Sequence, residues 1–172
     1  MKSIKDTYAD FFKWVKGTEL VELENINVEE DPVRPELSLE WRKANGRKIY
    51  GLKYQDTIEG IVCVAFTNDI PTTVKELELM SENASLKNDF NTAVAYTVWS
   101  RKRGAGKEII HKLLKHCKTN EKIKTVVTLS PLTPMATHFH IKNGAKLKKI
   151  SAETQNFEYK ISTWQTTSLV LQ

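Results

Sequence analysis

Apolar residues alternate with one another and with small side chains from Ala93 to Trp99, then recur at helical spacing from Ile109 to Cys117. Alternation marks a strand, and a spacing of three and four marks an amphipathic helix. Ala93, Ala95, Thr97 and Trp99 are expected on one face of the strand, and Val94, Tyr96 and Val98 on the other. In the helix Ile109, Ile110, Leu113, Leu114 and Cys117 form one stripe. Glu108 and Lys112 make an i,i+4 pair on the other side, worth only about 0.3 kcal/mol.

The same reasoning covers the rest of the chain. Ile4, Tyr8, Phe11, Phe12 and Val15 predict a helix over 4–16 that stops at Gly17. A strand is expected over 19–28. The stretch EEDPVRPELS reads as a loop or broken helix, since two prolines lie close together. Arg47–Tyr54 and Thr57–Phe66 predict a hairpin. Residues 67–91 are polar and read as a long connection. Val126, Val127 and Leu129 predict a buried parallel strand. Thr133 is a good N-cap, Pro134 a good first helical residue and Gly144 a natural stop. Residues 147–151 and 156–162 suggest a final hairpin. An edge strand near 156–162 would offer a route to a homodimer.

The chain has 172 residues, 40% hydrophobic and 27% charged, which is the balance of one globular domain over 1–172. No apolar run approaches membrane-span length, and the first residues lack a signal-peptide pattern, so a cytoplasmic protein is expected. Cys63 and Cys117 sit in apolar patterns and are expected as buried thiols in a reducing compartment. No Cys/His/carboxylate group has metal-ligand spacing, so no metal is expected. The net charge of +5 suits either a polyanionic cofactor or nucleic acid. Trp14, Trp41, Trp99 and Trp164 are too scattered to argue for a base-stacking platform, so the first is preferred.

Between the strand and the helix lies a basic loop with two glycines. Glycine lets the backbone turn tightly and approach a ligand. The first amides of the following helix lack internal partners and sit at the positive end of its dipole. Arg101, Lys102, Arg103, Gly104, Ala105, Gly106 and Lys107 therefore form a candidate diphosphate cradle. The loop is not a P-loop and lacks the third glycine of a dinucleotide fingerprint.

Arg101, Gly104 and Gly106 fit Q/R-x-x-G-x-G/A, and the segment resembles the acyl-CoA pyrophosphate loop of the GNAT superfamily of N-acyltransferases. Ala136, Phe139 and His140 before Asn143-Gly144-Ala145 resemble the family's A-x-x-F-Y-x-x-x-G-F, with His140 in place of tyrosine and Ala145 in place of an aromatic. TLSP (Thr128 to Pro131) and FHIKNGA (Phe139 to Ala145) resemble two segments of malonyl-CoA decarboxylase. The resemblances span about 47–161. They imply an α/β fold: a mixed central sheet flanked by helices, whose central strands splay to admit pantetheine. They imply acetyl-CoA or another acyl-CoA as co-substrate, with the backbone of Val98 and Trp99 contacting the pantetheine amides.

The resemblance also implies roles for two side chains. The GNAT tyrosine protonates the departing thiolate, and His140, which ordinarily titrates near neutrality, would take that place. In the decarboxylase a histidine acts with a serine of the TLSP segment, so Ser130 and His140 would form that pair. Glu59, Glu78 and Glu82 are candidates for the amine's base, and none is singled out. His111, His116 and His138 read as surface residues. Three functions follow: an acyl-CoA-dependent N-acyltransferase attacked directly by an amine, a malonyl-type decarboxylase, or a GNAT-fold binding module without catalysis. The acceptor, whether small molecule, protein or nucleobase, is not encoded in any motif.

Overall fold

The computed structural model describes residues 2–161. Trp164 and the final position of the expected 156–162 strand lie outside them. Eight strands form one mixed sheet with the order β1-β2-β3-β4-β5-β8-β6, and β7 pairs with β8. The strands are β1 (Thr18–Glu22), β2 (Lys48–Tyr54), β3 (Thr57–Thr67), β4 (Thr92–Ser100), β5 (Thr125–Thr128), β6 (Ser130–Pro131), β7 (Lys146–Ile150) and β8 (Thr154–Tyr159). The helices are α1 (Ile4–Gly17), α2 (Leu39–Lys43), α3 (Val74–Lys87), α4 (Ala105–Lys118) and α5 (Pro134–Lys142), with a 3-10 turn over Val28–Glu30.

The sheet separates two apolar layers. One packs Leu52, Val62, Val64, Ala93 and Ala95 against the stripe of α4, with Trp14 of α1. The other packs Ile61, Cys63, Ala65, Val94, Tyr96 and Trp99 against Leu37, Leu77 and the flank of α2. Burial on both faces explains why β3 and β4 read as nearly continuous apolar runs. β4 and β5 form the parallel pair that the sequence suggests, joined by α4.

A bulge in β4 moves Trp99. Cys63 pairs with Thr97 and Val64 with Ala95, which leaves Tyr96 as the extra residue. One inserted residue reverses the facing of everything beyond it. Trp99 therefore joins Val94 and Tyr96, not Ala93 and Ala95. Simple alternation cannot register this.

Three further expectations change. Residues 67–91 contain a 14-residue helix, α3, capped by Thr73, whose hydroxyl accepts from the Glu76 amide. Its exposed face is polar enough to read as loop. In α1 the expected apolar stripe faces outward: Ile4 is 78% and Phe12 58% exposed, while Trp14 is buried. Only the last turn of α1 reaches the sheet, where Gly17 lies against the Tyr54 ring. Finally, β8 is not an edge. β5 and β6 pair along one side of it and β7 along the other. The outer strand is β7, exposed along its length and carrying Lys146, Lys148 and Lys149, a charged edge that does not favour the proposed self-pairing.

The EEDPVRPELS segment is pinned by a buried ion pair. Arg42 Nη1 lies 2.8 Å from Asp31 Oδ2, both side chains fully buried. Arg42 also donates to the carbonyls of Leu37 and Arg34. Asp31 Oδ1 accepts from the amides of Val33 and Arg34 and from the Thr97 hydroxyl at 2.8 Å, which ties the segment to β4 just past the bulge. Removing one partner of such a pair leaves an uncompensated buried charge. Asp31→Ala is expected to cost about 3–5 kcal/mol in a urea unfolding titration. A loss within about 0.5 kcal/mol, the size of an ordinary surface change, would mean the pair does not hold the segment.

Candidate active site

The basic loop is fixed at both ends. The Arg101 amide donates to Glu59 at 2.8 Å, and the Ala105 amide to Lys102 at 3.1 Å. Gly104 has φ +88, the left-handed region where a side chain is strained, and it starts α4 with no side-chain cap. A Cβ on Gly106 would lie 3.2 Å from the Phe139 ring, so α5 closes directly on the first turn of α4. Among the described residues the amides of Arg103, Gly104, Gly106 and Lys107 have no backbone acceptor, while that of Ala105 is spent inside the turn. Amides left without partners at a helix N-terminus are the groups with which such termini hold anions.

The loop cations differ in freedom. Arg101 Nη2 pairs with Glu30 at 2.6 Å, so its charge is partly committed to the 3-10 turn and is not the free charge expected. Lys102 Nζ lies 4.6 Å from the centre of the Trp14 ring, which joins the loop to α1. Arg103 is exposed, as is Lys107.

Beside the loop, β4 and β5 part. Their pairing ends at Ala95 and Thr128, followed by one more bond from the Leu129 amide to the Ala95 carbonyl. Val98 and Trp99 pair with Val62 and Ile61 on the β3 side. Among the described residues no strand pairs with their other edge, which is the backbone that the sequence reading assigned to pantetheine.

His140 is 5% exposed, stacked on Phe157 and edge-on to Phe139. Its Nδ1 lies 2.7 Å from the Tyr159 hydroxyl. Burial pushes its pKa down to about 4, so it is neutral at pH 7 and is not the near-neutral proton store expected. A phenol is a better donor than a neutral imidazole, so we assign the proton of this bond to Tyr159. That leaves His140 with its hydrogen on Nε2. Burial raises the Tyr159 phenol well above its ordinary range, and it stays protonated.

Ser130 does not join His140. Its hydroxyl donates to Thr128 at 2.8 Å, and the Phe157 amide donates to the same Thr128 oxygen. The two expected catalytic side chains have separate partners: Ser130 of β6 bonds to Thr128, and His140 of α5 to Tyr159 of β8. Tyr159 escaped the sequence reading, although its i,i+2 relation to Phe157 in a buried strand is a signal for it. Glu78 accepts from Trp41 Nε1 and pairs with Lys75, so it is not a free base. His111 is half-buried, while His116 lies tilted against the Tyr50 ring and His138 is exposed. Among the described residues no group of His, Cys, Asp and Glu could hold a metal ion, and no helix is long and apolar enough to cross a membrane. Cys63 and Cys117 are free and buried.

No family model and no curated protein matches this sequence. Solved structures do. Malonyl-CoA decarboxylase from Agrobacterium vitis aligns with 97% of this chain and 67% of its own, at 16% identity and a TM-score of 0.70. The loading GNATL domain of CurA from Lyngbya majuscula aligns with 84% of this chain and 98% of its own, at 15% identity and a TM-score of 0.61. A Bacillus subtilis acetyltransferase in complex with CoA aligns with 83% and 98%, at 9% identity and a TM-score of 0.57. The chain has the GNAT fold.

The buried GNAT-fold histidine gives a stability test. Its folded pKa, about 4, lies below the ordinary 6.5, so the unfolded chain binds the extra proton between those values. Stability from this group is present above pH 6.5 and is lost as pH falls towards 4. At 1.36 kcal/mol per unit the loss is about 3 kcal/mol. His140→Gln should flatten that part of the stability–pH curve, measured by denaturant titration; an unchanged slope would place the burden on other groups.

Proposed function

We propose that this protein is an acyl-CoA-dependent enzyme, with residues 1–172 forming one acyl-CoA-binding domain. The observation that carries the reading is the conjunction of four free amides on the 101–107 loop with an unpaired β4 edge beside it. The diphosphate of CoA lies at Arg103, Gly104, Gly106 and Lys107, with Lys102 and the partly committed Arg101 adding positive charge. The pantetheine amides run along Val98 and Trp99. The bound CoA, acetyl-CoA and isobutyryl-CoA of other GNAT-fold structures agree with this ligand class. The free, buried thiols suit a reducing cytoplasm.

The leading chemistry is transfer to an amine. The amine nitrogen attacks the thioester carbon, the C–S bond breaks, and the thiolate leaves while the nitrogen gives up a proton. No acyl-enzyme is needed. His140, neutral and fixed by Tyr159, acts as a hydrogen-bond donor towards the sulfur or the developing oxyanion, a role suited to an imidazole that does not charge at pH 7.

One observation favours a second chemistry. The likeness to malonyl-CoA decarboxylase runs over 97% of this chain and that to the acetyltransferases over 83–84%. In that reaction the C–C bond to the carboxylate breaks, CO2 leaves, and the electron pair passes into a thioester enolate. His140 would donate to the enolate oxygen, Ser130 would lie near the carboxylate, and a proton added at carbon would give acetyl-CoA.

Calorimetry with CoA and acetyl-CoA comes first, with Gly104→Glu as the blocked loop. The variant should bind at least about tenfold more weakly, since charged hydrogen bonds of about 1.5–3 kcal/mol are lost. Equal binding by both proteins, or none by either, removes the cradle. Mass spectrometry of reactions with acetyl-CoA and malonyl-CoA then separates the chemistries. Free CoA formed only when an amine is present supports transfer, and acetyl-CoA formed from malonyl-CoA alone supports decarboxylation.

A further inference from the structure

Arg34 is a buried cation with no ion-pair partner among the described residues, placed where β4 and β5 part. It is 8% exposed. Its Nη2 donates to the Leu129 carbonyl at 2.8 Å. The Leu129 amide in turn makes the last bond to β4, at the Ala95 carbonyl. Nε of Arg34 is buried with no partner. The carboxylates of Glu36 and Asp31 act on this guanidinium only from beyond ion-pair distance. The adjacent acid, Asp31, is already engaged at both oxygens by Arg42, Thr97 and two amides.

A guanidinium keeps its proton even when buried, so the unpaired charge must be carried by the folded protein. Burial acts against the charged form here, the largest influence on this group. An uncompensated buried charge is a cost unless something arrives to pair with it. The backbone of Arg34 is fixed meanwhile, because Arg42 Nη2 donates to its carbonyl at 2.6 Å. The cation is therefore held in place and not free to swing into solvent. On the same layer Trp99 Nε1 is a further buried polar atom without a partner among the described residues.

The geometry points to Arg34 as the group that selects a carboxylated acyl chain, such as a malonyl or succinyl thioester, for the cleft. This rests on the acyl-CoA reading above. The loop and α4 lie on one face of the sheet, and the Arg34 segment lies on the other. A pantetheine arm following the open β4 edge from the loop brings its acyl end to the parting, with the phosphates behind it. A carboxylate beyond the thioester carbonyl is directed towards the Arg34 guanidinium, whose planar fork suits this anion. An acetyl group leaves the charge unpaired.

Two inert thioethers test this without turnover: S-(2-carboxyethyl)-CoA, which matches malonyl in chain length, and S-propyl-CoA, which lacks the charge. Calorimetry on the wild-type protein should show the carboxylated probe binding about 10- to 100-fold tighter, the range of a charged hydrogen bond. Arg34→Gln should bring the two probes within about threefold of each other while S-propyl-CoA binds as before. Arg34→Lys, which keeps the charge but not the fork, should retain part of the preference and guards against a folding defect in the first variant. Equal binding of both probes by wild type, or a preference that survives Arg34→Gln, overturns the assignment and leaves the anion, if any, to the acceptor. Failure of both probes to bind the wild-type protein would instead remove the acyl-CoA reading.

Discussion

Among the described residues no strand pairs with one side of β4 beyond Ala95, and much of the fold keeps that edge open. Two strands running parallel would ordinarily continue pairing, since an open backbone edge between buried layers leaves polar groups unmet. Here β4 bulges at Tyr96 in its pairing with β3, and its ladder with β5 ends at Ala95. The Leu129 amide makes the final bond, and the chain then leaves to pair with β8 as β6. Thr97 is held from the opposite layer by Asp31. Asp31 is in turn neutralised by Arg42, whose remaining donors hold the carbonyls of the same segment. A desolvated ion pair is a poor source of net stability. Its use here is positional, because it fixes a proline-containing segment that has neither helix nor ladder to order it.

The second constraint is electrical. Cations gather at the 101–107 loop and at Arg34, on opposite faces of the sheet, while the histidine between the strands and α5 is uncharged at neutral pH. Tyr159 completes the imidazole's hydrogen bonding at one nitrogen and leaves the other to act. A fixed neutral donor suits charge that appears only during a reaction, because it costs little when no charge is there.

The pieces of the sequence with one dominant period were readable. The stripe of α4 and the strands of the β2–β3 hairpin appear where the apolar spacing places them, and the basic loop lies at the head of α4. What could not be read depends on contacts distant in sequence. The reversal of Trp99 needs the register against β3, the outward face of α1 needs the position of Tyr54, and α3 hides behind polar residues. The site follows the same division. His140 could be singled out from its motif, but its neutrality comes from Phe139, Phe157 and Tyr159 packed around it. Ser130 stood in a motif too, yet its partner is Thr128. Asp31 and Arg34 belong to a segment that reads only as a loop or broken helix, and burial is what distinguishes them.

The sheet stops growing at β7 by charge and not by cover. A second copy adding itself antiparallel about Lys148 would set that lysine against its own image and Leu147 against Lys149. Such a barrier is as strong as the range of the charges that make it. At about 0.1 M salt that range is about 10 Å, and at 1 M about 3 Å. The end of this molecule is thus a boundary whose height is set by the ionic strength of its surroundings, unlike the rest of the sheet, whose limits are fixed by packing.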